Sequence, residues 1–484
     1  MAAESQFLGT ARVMAANALV ELWRRGALLG DSLSAALMVR APDRANDDSA
    51  FARQLAYTSV RRGATIDAIL SRVAKYQPER VSPLLRAILH VATTQLVFLD
   101  FVPDFAAVDE AVNHAKRAAG AKSGGMVNAI LRNLLRARTE KRTVWDANNV
   151  NLVRVSFHEA CSFDVRIFDE ESNSAAAPSG CGAAVWKLLT DCFEEGVARQ
   201  IAWASTAEPP LVLWPREIVA ESNEVSPRFL QGAALREAGG AALFEEAYAQ
   251  DVSARESALF AMVTCGDRVL DFCAAPGGKS VVLRQCLQGR GLLVACDVDA
   301  RRMAALCRTL GVEECTNVDE GTFSGDFRDA HNARLGPPLG AGGSDCAAAG
   351  VRTDVVLINR DQPLPAEWLN AFAVVFVDVP CSNSGVLARR PEARLRLDEK
   401  HFVSLHKLQR EIIERAHRCV RPGGRLVYST CSILRRENEA FVREFLAVSP
   451  SFSLAEERLT LPQWGPESSD WRDGAYVARL VRKG

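Results

Sequence analysis

Apolar residues recur at three- and four-residue spacing through the first part of the chain, a pattern that predicts helices. Ser82-Pro83 looks like an N-cap followed by proline at the first helical position. The segment after it has one apolar face, formed by Leu85, Ile88, Leu89, Ala92 and Leu96. Residues 108–115 and 127–134 repeat this spacing. We therefore predict a helical bundle over residues 8–141, which is the size of one domain.

The second half of the chain has a different pattern, in which short apolar runs alternate with helical stretches. The predicted strands cover residues 268–272, 292–297, 354–361, 373–378 and 425–429. Strands separated by helices predict a parallel, doubly wound α/β sheet of the Rossmann-like kind, here over residues 251–484. Residues 142–183 read as an irregular linker, and residues 184–250 as a small α/β subdomain leading into the sheet. The glycine-rich residues 313–350 read as a mobile surface insertion.

Composition narrows the class of protein. A chain of 484 residues with 48% hydrophobic and 24% charged residues fits a soluble globular protein of two or three domains. The 13 cysteines are scattered and contain no Cys-x-x-Cys pair, which argues against zinc and a disulfide framework and favours a reducing cytoplasm. No apolar run is long enough to cross a bilayer, and the N-terminus lacks a secretory pattern.

Charge is local rather than global. The formal net charge of −1 argues against attraction of the whole protein to nucleic acid. Basic residues nevertheless cluster in the last part of the predicted bundle: Lys116, Arg117, Lys122, Arg132, Arg136, Arg138, Lys141 and Arg142. A solvated helix face and a phosphate-contacting surface are both open interpretations of this cluster.

Candidate chemistry lies at the predicted strand ends, where an open α/β sheet binds its ligands. A glycine loop at residues 273–280 follows the first strand, and Asp297 ends the second, where it could accept ribose hydroxyls. The loop has neither P-loop nor Gly-x-Gly-x-x-Gly spacing, which argues against a nucleotide phosphate site and against a nicotinamide cofactor. Cys381 and Cys431 follow the fourth and fifth strands. Two thiols beside a nucleotide-like cofactor suggest group transfer to a ring carbon through a covalent adduct.

Three stretches carry a family resemblance. Residues 271–280, 378–394 (DVPCSNSGVLARRPEAR) and 428–439 (YSTCSILRRENE) resemble the RNA cytosine-C5 methyltransferases, and most closely the bacterial Sun/RsmB group that modifies 16S ribosomal RNA. The helical half resembles the NusB-like RNA-binding domain of that group. The resemblance implies a Rossmann-like class I methyltransferase domain that uses S-adenosylmethionine.

The resemblance also implies a cofactor site. The loop that would wrap the methionine and ribose end consists of Cys273, Ala274, Ala275, Pro276, Gly277, Gly278 and Lys279. Asp297 would hold the ribose, and Asp378 would border the same site. The acid that contacts the adenine has two candidates, Asp361 and Asp326, of which Asp361 is preferred for its distance before Asp378.

The implied roles of the thiols follow from the chemistry of cytosine. Carbon 5 becomes nucleophilic only after a thiolate adds to carbon 6. In this family the cysteine of the Thr-Cys motif, here Cys431, is the nucleophile, and Cys381 assists proton removal and product release. Asp378 would hydrogen-bond the ring edge of the cytosine, and Lys279 would add positive potential.

Arginines flank both cysteines, and we expect Arg389, Arg390, Arg394 and Arg435 to contact RNA phosphates. The expected partner is 16S rRNA or a small-subunit precursor, bound by a monomer that needs neither metal nor membrane. A DNA enzyme would use the Pro-Cys thiol alone, and an amino-group enzyme would carry an Asp/Asn-Pro-Pro-aromatic loop. Two alternatives stay open: an enzyme for tRNA or another rRNA site, and a non-catalytic RNA-binding assembly or antitermination factor.

Overall fold

The computed structural model describes residues 11–26, 28–38, 45–168, 179–215, 226–230, 247–313, 315–317 and 351–484. The chain divides into two compact units. Unit 1 comprises Met1–Pro209, Val386–Leu397 and Pro462–Trp471. Unit 2 comprises Pro210–Gly385, Asp398–Leu461 and Arg472–Gly484.

Unit 1 begins with a bundle of helices: α1 (Ala11–Arg25), α2 (Leu29–Met38), α3 (Ala45–Arg61), α4 (Gly63–Ala74), α5 (Pro83–Phe98) and α6 (Asp104–Ala137). The Ser82 hydroxyl caps α5 by accepting a hydrogen bond from the Leu85 backbone N–H at 3.4 Å. The predicted apolar faces of α5 and α6 form the bundle core, where Leu89, Leu96 and Leu131 are fully buried. The predicted helical bundle is therefore confirmed.

The end of the predicted bundle and the predicted irregular linker differ from the structure. Residues 138–144 form a strand, β1 (Arg138–Val144), which pairs antiparallel with β3 (Glu159–Phe163), and β3 pairs with β2 (Leu152–Arg154). Two helices follow, α7 (Ala183–Cys192) and α8 (Glu195–Thr206). The segment 142–183 thus contributes most of a three-stranded sheet, with buried side chains such as Val153 and Cys161.

Unit 2 is built on a sheet of eight strands in the order β13-β14-β12-β11-β7-β8-β10-β9. The strands are β7 (Arg268–Asp271), β8 (Leu292–Asp297), β9 (Thr316–Asn317), β10 (Arg352–Leu357), β11 (Phe372–Asp378), β12 (Val420–Thr430), β13 (Phe452–Thr460) and β14 (Ala475–Arg482). The neighbours from β12 through β9 pair in parallel, and β14 pairs antiparallel with β12 and β13. All five predicted strands are present, and the Rossmann-like α/β class is confirmed.

In unit 2, helix α9 (Val252–Leu259) precedes β7 in the chain. The other helices lie between the strands of this sheet: α10 (Gly278–Cys286), α11 (Ala300–Leu310), α12 (Glu399–Ala416) and α13 (Glu439–Val448). A small second sheet has the order β5-β4-β6, with β4 (Leu211–Pro215), β5 (Arg228–Leu230) and β6 (Ala247–Ala249). The predicted subdomain at 184–250 is thus divided, because α7 and α8 belong to unit 1 and this small sheet to unit 2. Most of the predicted insertion at 313–350 lies outside the described residues.

Within the described ranges, each helix is too short or too polar to span a bilayer.

Candidate active site

The glycine loop connects the end of β7 to the start of α10. Gly277 takes a φ of 105°, a left-handed conformation that favours glycine, and α10 begins at the next residue. A β-carbon at Gly277 would also lie 3.0 Å from side-chain atoms of Leu306 and Thr309. The loop is held against β8 because the Ala274 N–H donates to the carbonyl oxygen of Cys296 at 2.9 Å. This position of the loop therefore requires glycine at 277.

Asp297 ends β8 directly beside this loop. Its side chain is 6% exposed. One carboxylate oxygen accepts the Ala275 N–H at 3.1 Å, and the other accepts the Asp299 N–H at 3.0 Å. Because a carboxylate offers about four acceptor positions, Asp297 keeps capacity for hydroxyl donors.

Asp271, at the end of β7, is a buried acid whose role the sequence did not indicate. Its Oδ2 accepts from the Ser280 hydroxyl at 2.6 Å, and within the described part of the chain its buried Oδ1 has no hydrogen-bond partner. Burial raises the pKa of Asp271 to about 7, and the nearby Asp378 carboxylate adds to this rise against the Ser280 hydrogen bond. When Asp271 is ionised, the end of β7 thus offers an acceptor atom that a donor on a ligand could satisfy.

The two predicted thiols meet at the carboxyl ends of adjacent parallel strands. Asp378 of β11 lies opposite Ser429 of β12, so that the loops following these residues leave the same edge of the sheet. The Sγ atoms of Cys381 and Cys431 are 3.2 Å apart. Gly385 permits this approach, since a β-carbon there would lie 2.7 Å from the Cys431 carbonyl oxygen.

The surroundings of the two thiols differ. Cys381 is buried, whereas Cys431 is partly exposed. A hydrogen bond with Cys431 raises the pKa of Cys381 well above its usual value, and burial raises it further. Cys381 is therefore held as a neutral thiol while the Cys431 sulfur stays beside it.

Lys279 and Asp378 form an ion pair next to the thiols, with Nζ and Oδ2 2.6 Å apart. Burial lowers the pKa of Lys279, but the Asp378 carboxylate outweighs burial, and the net pKa is raised. The ammonium also interacts electrostatically with Cys431 and Asp271. A positive charge therefore stands beside the two thiols.

Asn383 is a second residue that the sequence did not reveal. Its Oδ1 accepts a hydrogen bond from Cys431 Sγ at 3.3 Å, and its Nδ2 donates to the Cys381 carbonyl oxygen at 3.0 Å. Its φ of 59° is a left-handed value that asparagine tolerates better than most residues. An asparagine between Cys-Ser and Ser-Gly was the only available signal, and it indicates a turn as readily as a contact.

The two acids proposed for the adenine have different outcomes. β10 ends at Leu357, opposite Asp297, and Asp361 is exposed four positions further on. The Asp361 N–H donates to Asn359 Oδ1 at 2.9 Å. Asp326 lies outside the described residues. Asp361 thus follows the strand that ends beside the ribose candidate, but the strand is shorter than predicted.

The four arginines that follow Cys381 and Cys431 in the chain differ in solvent exposure. Arg390 and Arg435 are exposed, and Arg389 is half-buried with its guanidinium 5.9 Å from the Trp471 ring centre. Arg394 is buried, and its N–H groups donate to the backbone carbonyl oxygens of Arg61, Gly180, Ser205, Leu387 and Pro391. Its donors are thus occupied inside unit 1, and we withdraw Arg394 from the expected phosphate contacts.

Two family profiles match different parts of the chain. The NusB family profile matches residues 9–136, and the profile described as 16S rRNA methyltransferase RsmB/F matches residues 261–333 and 346–470. The chain thus combines a region similar to the NusB family with a region similar to the RsmB/F methyltransferases. The second match contains Asp297, Cys381 and Cys431, so the geometry above lies in the methyltransferase-like part of the chain.

Individual relatives agree with the profiles. The chain is 29% identical to ribosomal RNA small subunit methyltransferase B of Xanthomonas campestris pv. campestris, over 92% of this chain and 90% of that protein. It is 28% identical to the protein of the same name from Salmonella arizonae, in an alignment that spans only 48% of this chain and 46% of that protein. The crystal structure of PH0851 is similar in fold, with a TM-score of 0.62 at 18% identity, and the match covers 96% of this chain and 98% of that chain.

Proposed function

We propose that this protein transfers a methyl group from S-adenosylmethionine to carbon 5 of a cytosine in 16S rRNA, through a covalent bond between Cys431 and carbon 6. The observation that carries the proposal is the 3.2 Å separation of the Cys431 and Cys381 sulfurs beside the Lys279–Asp378 ion pair. One thiol alone would suffice for an adduct. Two thiols in contact fit a reaction that needs both a nucleophile and a separate proton acceptor.

The glycine loop fits the proposed methyl donor. S-adenosylmethionine presents hydrogen-bond donors along its length, namely an ammonium, two ribose hydroxyls and an adenine amino group. The loop region presents acceptors: Asp297 with spare capacity and Asp271 with an unpartnered buried oxygen among the described residues. Asp297 would hold the ribose, residues 273–279 would enclose the methionine end, and Asp361 would be the adenine contact. S-adenosylmethionine supplies the methyl group that carbon 5 accepts.

The first step that these residues perform is formation of the adduct. Lys279 places a positive charge near the Cys431 sulfur. The Cys431 thiol loses its proton, its sulfur forms a bond to carbon 6, and nitrogen 3 of the ring takes up a proton in exchange. Asp378 hydrogen-bonds this edge of the base and stabilises the protonated nitrogen. Carbon 5 is now electron-rich and accepts the methyl group.

The second step removes the proton from carbon 5, and Cys381 is placed for it. Once Cys431 is bonded to carbon 6, its sulfur no longer holds the Cys381 proton through the contact that raises the Cys381 pKa. Cys381 can then release its proton to solvent, and its thiolate accepts the carbon 5 proton. The electron pair left at carbon 5 re-forms the double bond, the Cys431 sulfur leaves carbon 6 as a thiolate, and nitrogen 3 gives up its added proton. Adduct formation thus makes the thiolate form of Cys381 available at the stage that requires a base.

The substrate is proposed from the family. The profile that matches residues 261–333 and 346–470 has the description 16S rRNA methyltransferase RsmB/F. The Xanthomonas campestris relative is named as a methyltransferase of the small-subunit ribosomal RNA. An RNA surface on unit 1 is supported by exposed cations along α6: Lys116, Arg117, Lys122, Arg132 and Arg136. Arg389, Arg390 and Arg435, which follow the two cysteines in the chain, remain as arginine candidates for phosphate contacts.

The direct test is bisulfite sequencing of ribosomal RNA from cells with the gene, without it, and with a Cys431→Ala copy. We expect one cytosine of 16S rRNA to be protected in the first strain and converted in the other two. Protection of a cytosine in a tRNA or in 23S rRNA would show that this RNA, and not 16S rRNA, is the substrate. The same set of protected cytosines in all three strains would contradict the proposed activity.

A further inference from the structure

The loops that follow Cys381 and Cys431 share one buried carboxylate. Glu437 is 2% exposed and lies in the short 3₁₀ helix Arg435–Glu437 before α13. Its Oε2 accepts hydrogen bonds from the hydroxyls of Ser382 at 2.5 Å and Ser432 at 2.6 Å. Its Oε1 accepts the Ser382 backbone N–H at 2.9 Å. Each serine directly follows one of the two cysteines, so a single side chain joins both loops.

Further hydrogen bonds fix this carboxylate and the loops around it. Gln409 of α12 donates from Nε2 to Glu437 Oε1 at 3.2 Å and to the carbonyl oxygen of Pro380 at 3.0 Å. The hydroxyls of Ser384 and Ser432 are 2.9 Å apart. The Tyr428 hydroxyl donates to the Glu437 carbonyl oxygen at 2.8 Å. The carboxylate is therefore anchored to the sheet and to α12 as well as to the two loops.

Burying a carboxylate costs folding free energy unless hydrogen bonds satisfy its oxygens. The hydrogen bonds to Glu437 come from neutral hydroxyl and amide donors, so they compensate burial without neutralising the charge. A buried carboxylate whose two oxygens both accept hydrogen bonds rigidifies the segments that it joins. The hydrogen bonds of Glu437 therefore specify the separation of the loops that carry the two thiols.

We propose that Glu437 is a positioning residue that sets Cys381 in register with Cys431, so that Cys381 can reach the proton on carbon 5 after Cys431 has bonded to carbon 6. This inference rests on the proposed function for its consequence, whereas the geometry it assigns to Glu437 can be tested without methyl transfer. Besides the Cys431 contact and burial, the Glu437 charge also raises the pKa of Cys381. Glu437 thus helps to keep Cys381 protonated until it is needed.

The test measures how fast Cys381 and Cys431 form a disulfide, because this rate depends on the separation of the two sulfurs. The diazene oxidant diamide takes one hydrogen from each thiol and is reduced to a hydrazine while a Sγ–Sγ bond forms between Cys381 and Cys431. Peptide mass spectrometry measures the rate for this pair separately from the other cysteines. We expect Glu437→Ala to slow the reaction at least about tenfold, because thiols that are displaced by about 1 Å react far more slowly.

Matched variants separate a displacement of the two thiols from a general loss of structure. Glu437→Gln keeps the size and one acceptor oxygen, and we expect it to restore the cross-linking rate to within about threefold of wild type. Glu444→Gln, on the exposed face of α13, should leave the rate unchanged. If Glu437→Ala fails to fold by circular dichroism, Ser382→Ala and Ser432→Ala each remove one hydroxyl from the network and should each slow cross-linking. Equal rates in wild type, Glu437→Ala and both serine variants would overturn the proposal.

Methyl transfer gives the second measurement. In a single turnover, Glu437→Ala should lower the rate about 100-fold while the Kd for S-adenosylmethionine changes less than about threefold. A wild-type protein that methylates normally, combined with a Glu437→Ala variant that cross-links and methylates at the same rates, contradicts the positioning role alone. A wild-type protein that cross-links rapidly but methylates no cytosine contradicts the proposed function and leaves the positioning of the thiols supported.

Discussion

At the scale of single residues, the contact between the two sulfurs predicts a measurable change in Cys381. Two causes of its raised pKa come from Cys431, namely the hydrogen bond and the charge, while burial and Glu437 supply the rest. In a Cys431→Ala variant the pKa of Cys381 should fall. Alkylation of Cys381 by iodoacetamide should therefore reach half of its maximal rate at a lower pH than in the wild type.

Peptide mass spectrometry over a pH series measures this shift. The exposed Cys265 of the same unit provides the control, because Cys265→Ala removes a distant thiol. A Cys381 profile that is identical in the wild type and in Cys431→Ala would show that the sulfurs do not interact. The account of how Cys381 becomes a thiolate would then fail.

Asp271 predicts a pH dependence of stability. Because burial raises its pKa to about 7, the folded protein holds a proton that the unfolded chain releases near pH 4. Its contribution to stability is therefore complete below the unfolded pKa and is lost as the pH rises through the folded pKa. Relative to Asp271→Asn, the wild type should lose on the order of 1.4 kcal/mol of unfolding free energy per pH unit between about 4 and 7.

Urea unfolding at pH 5 and pH 8 checks this difference. Ser280→Ala removes the hydrogen bond to Oδ2 and should enlarge the loss, because that hydrogen bond opposes the raised pKa. A wild type that gains stability over Asp271→Asn as the pH rises from 5 to 8 would contradict a protonated, buried Asp271.

The residues proposed for the site were visible in the sequence, whereas the residues that hold them in place were not. Cys381, Cys431 and Asp297 stand at strand ends, and the periodicity of apolar runs locates strand ends well. Glu437 and Asn383 act through contacts between segments that are about 50 residues apart, as the hydrogen bond from Ser382 to Glu437 illustrates. An acid next to two arginines looks like a surface residue until these contacts are known.

At the scale of elements, Arg394 holds the short segment 386–397 within unit 1. Arg394→Met would leave the buried carbonyl oxygens of Arg61 and Ser205 without their charged donor, now 2.8 Å and 2.9 Å away. We expect a loss of about 3 kcal/mol or more in local stability. Hydrogen exchange of residues 386–397 measures it, and the exposed Arg390→Met should change exchange by less than about 0.5 kcal/mol. Equal effects from the two variants would contradict this role.

The basic residues near the end of α6 make a second prediction at this scale. Arg138, Lys141 and Arg142 lie on β1 and pair with Asp104 and Asp100, whereas Arg132 and Arg136 are exposed on the helix. Arg132→Glu/Arg136→Glu should weaken binding to a 16S rRNA fragment. The slope of log K against log salt should fall by about 0.7–0.9 for each phosphate that the variant no longer neutralises.

Filter binding over a salt series measures this slope, and Arg25→Glu on α1 is the control because Arg25 already pairs with Glu21. An unchanged slope in the α6 variant would restore the interpretation of these residues as a solvated helix face.

The elements themselves were predicted to different extents. Parallel strands such as β8 and β11 are buried along almost their whole length, so their apolar runs are unmistakable. β1 has the sequence RTEKRTV and only half-buried or exposed side chains, so it carries no apolar signal. It was therefore assigned to the preceding helical bundle.

At the scale of the whole molecule, the assignment of chain segments to units could not be read from the sequence. Val386–Leu397 and Pro462–Trp471 belong to unit 1, although the sequence around them forms the sheet of unit 2. Ala388 and Trp471 pack with Ala207 in a small cluster that joins three distant parts of the chain. Local patterns cannot reveal such non-local packing, whereas the two family profiles followed directly from local sequence.

The central claim is a covalent bond between Cys431 and a cytosine. The most direct test incubates the Cys381→Ala variant with 16S rRNA and S-adenosylmethionine. Digestion with nuclease and protease is then followed by mass spectrometry of the peptides. Without the Cys381 thiol the adduct should form and persist, and a methylated nucleotide should be found on the peptide that contains Cys431. The Cys381→Ala/Cys431→Ala variant should show none. An adduct that persists in the double variant, or full turnover by Cys381→Ala without an adduct, would contradict the account.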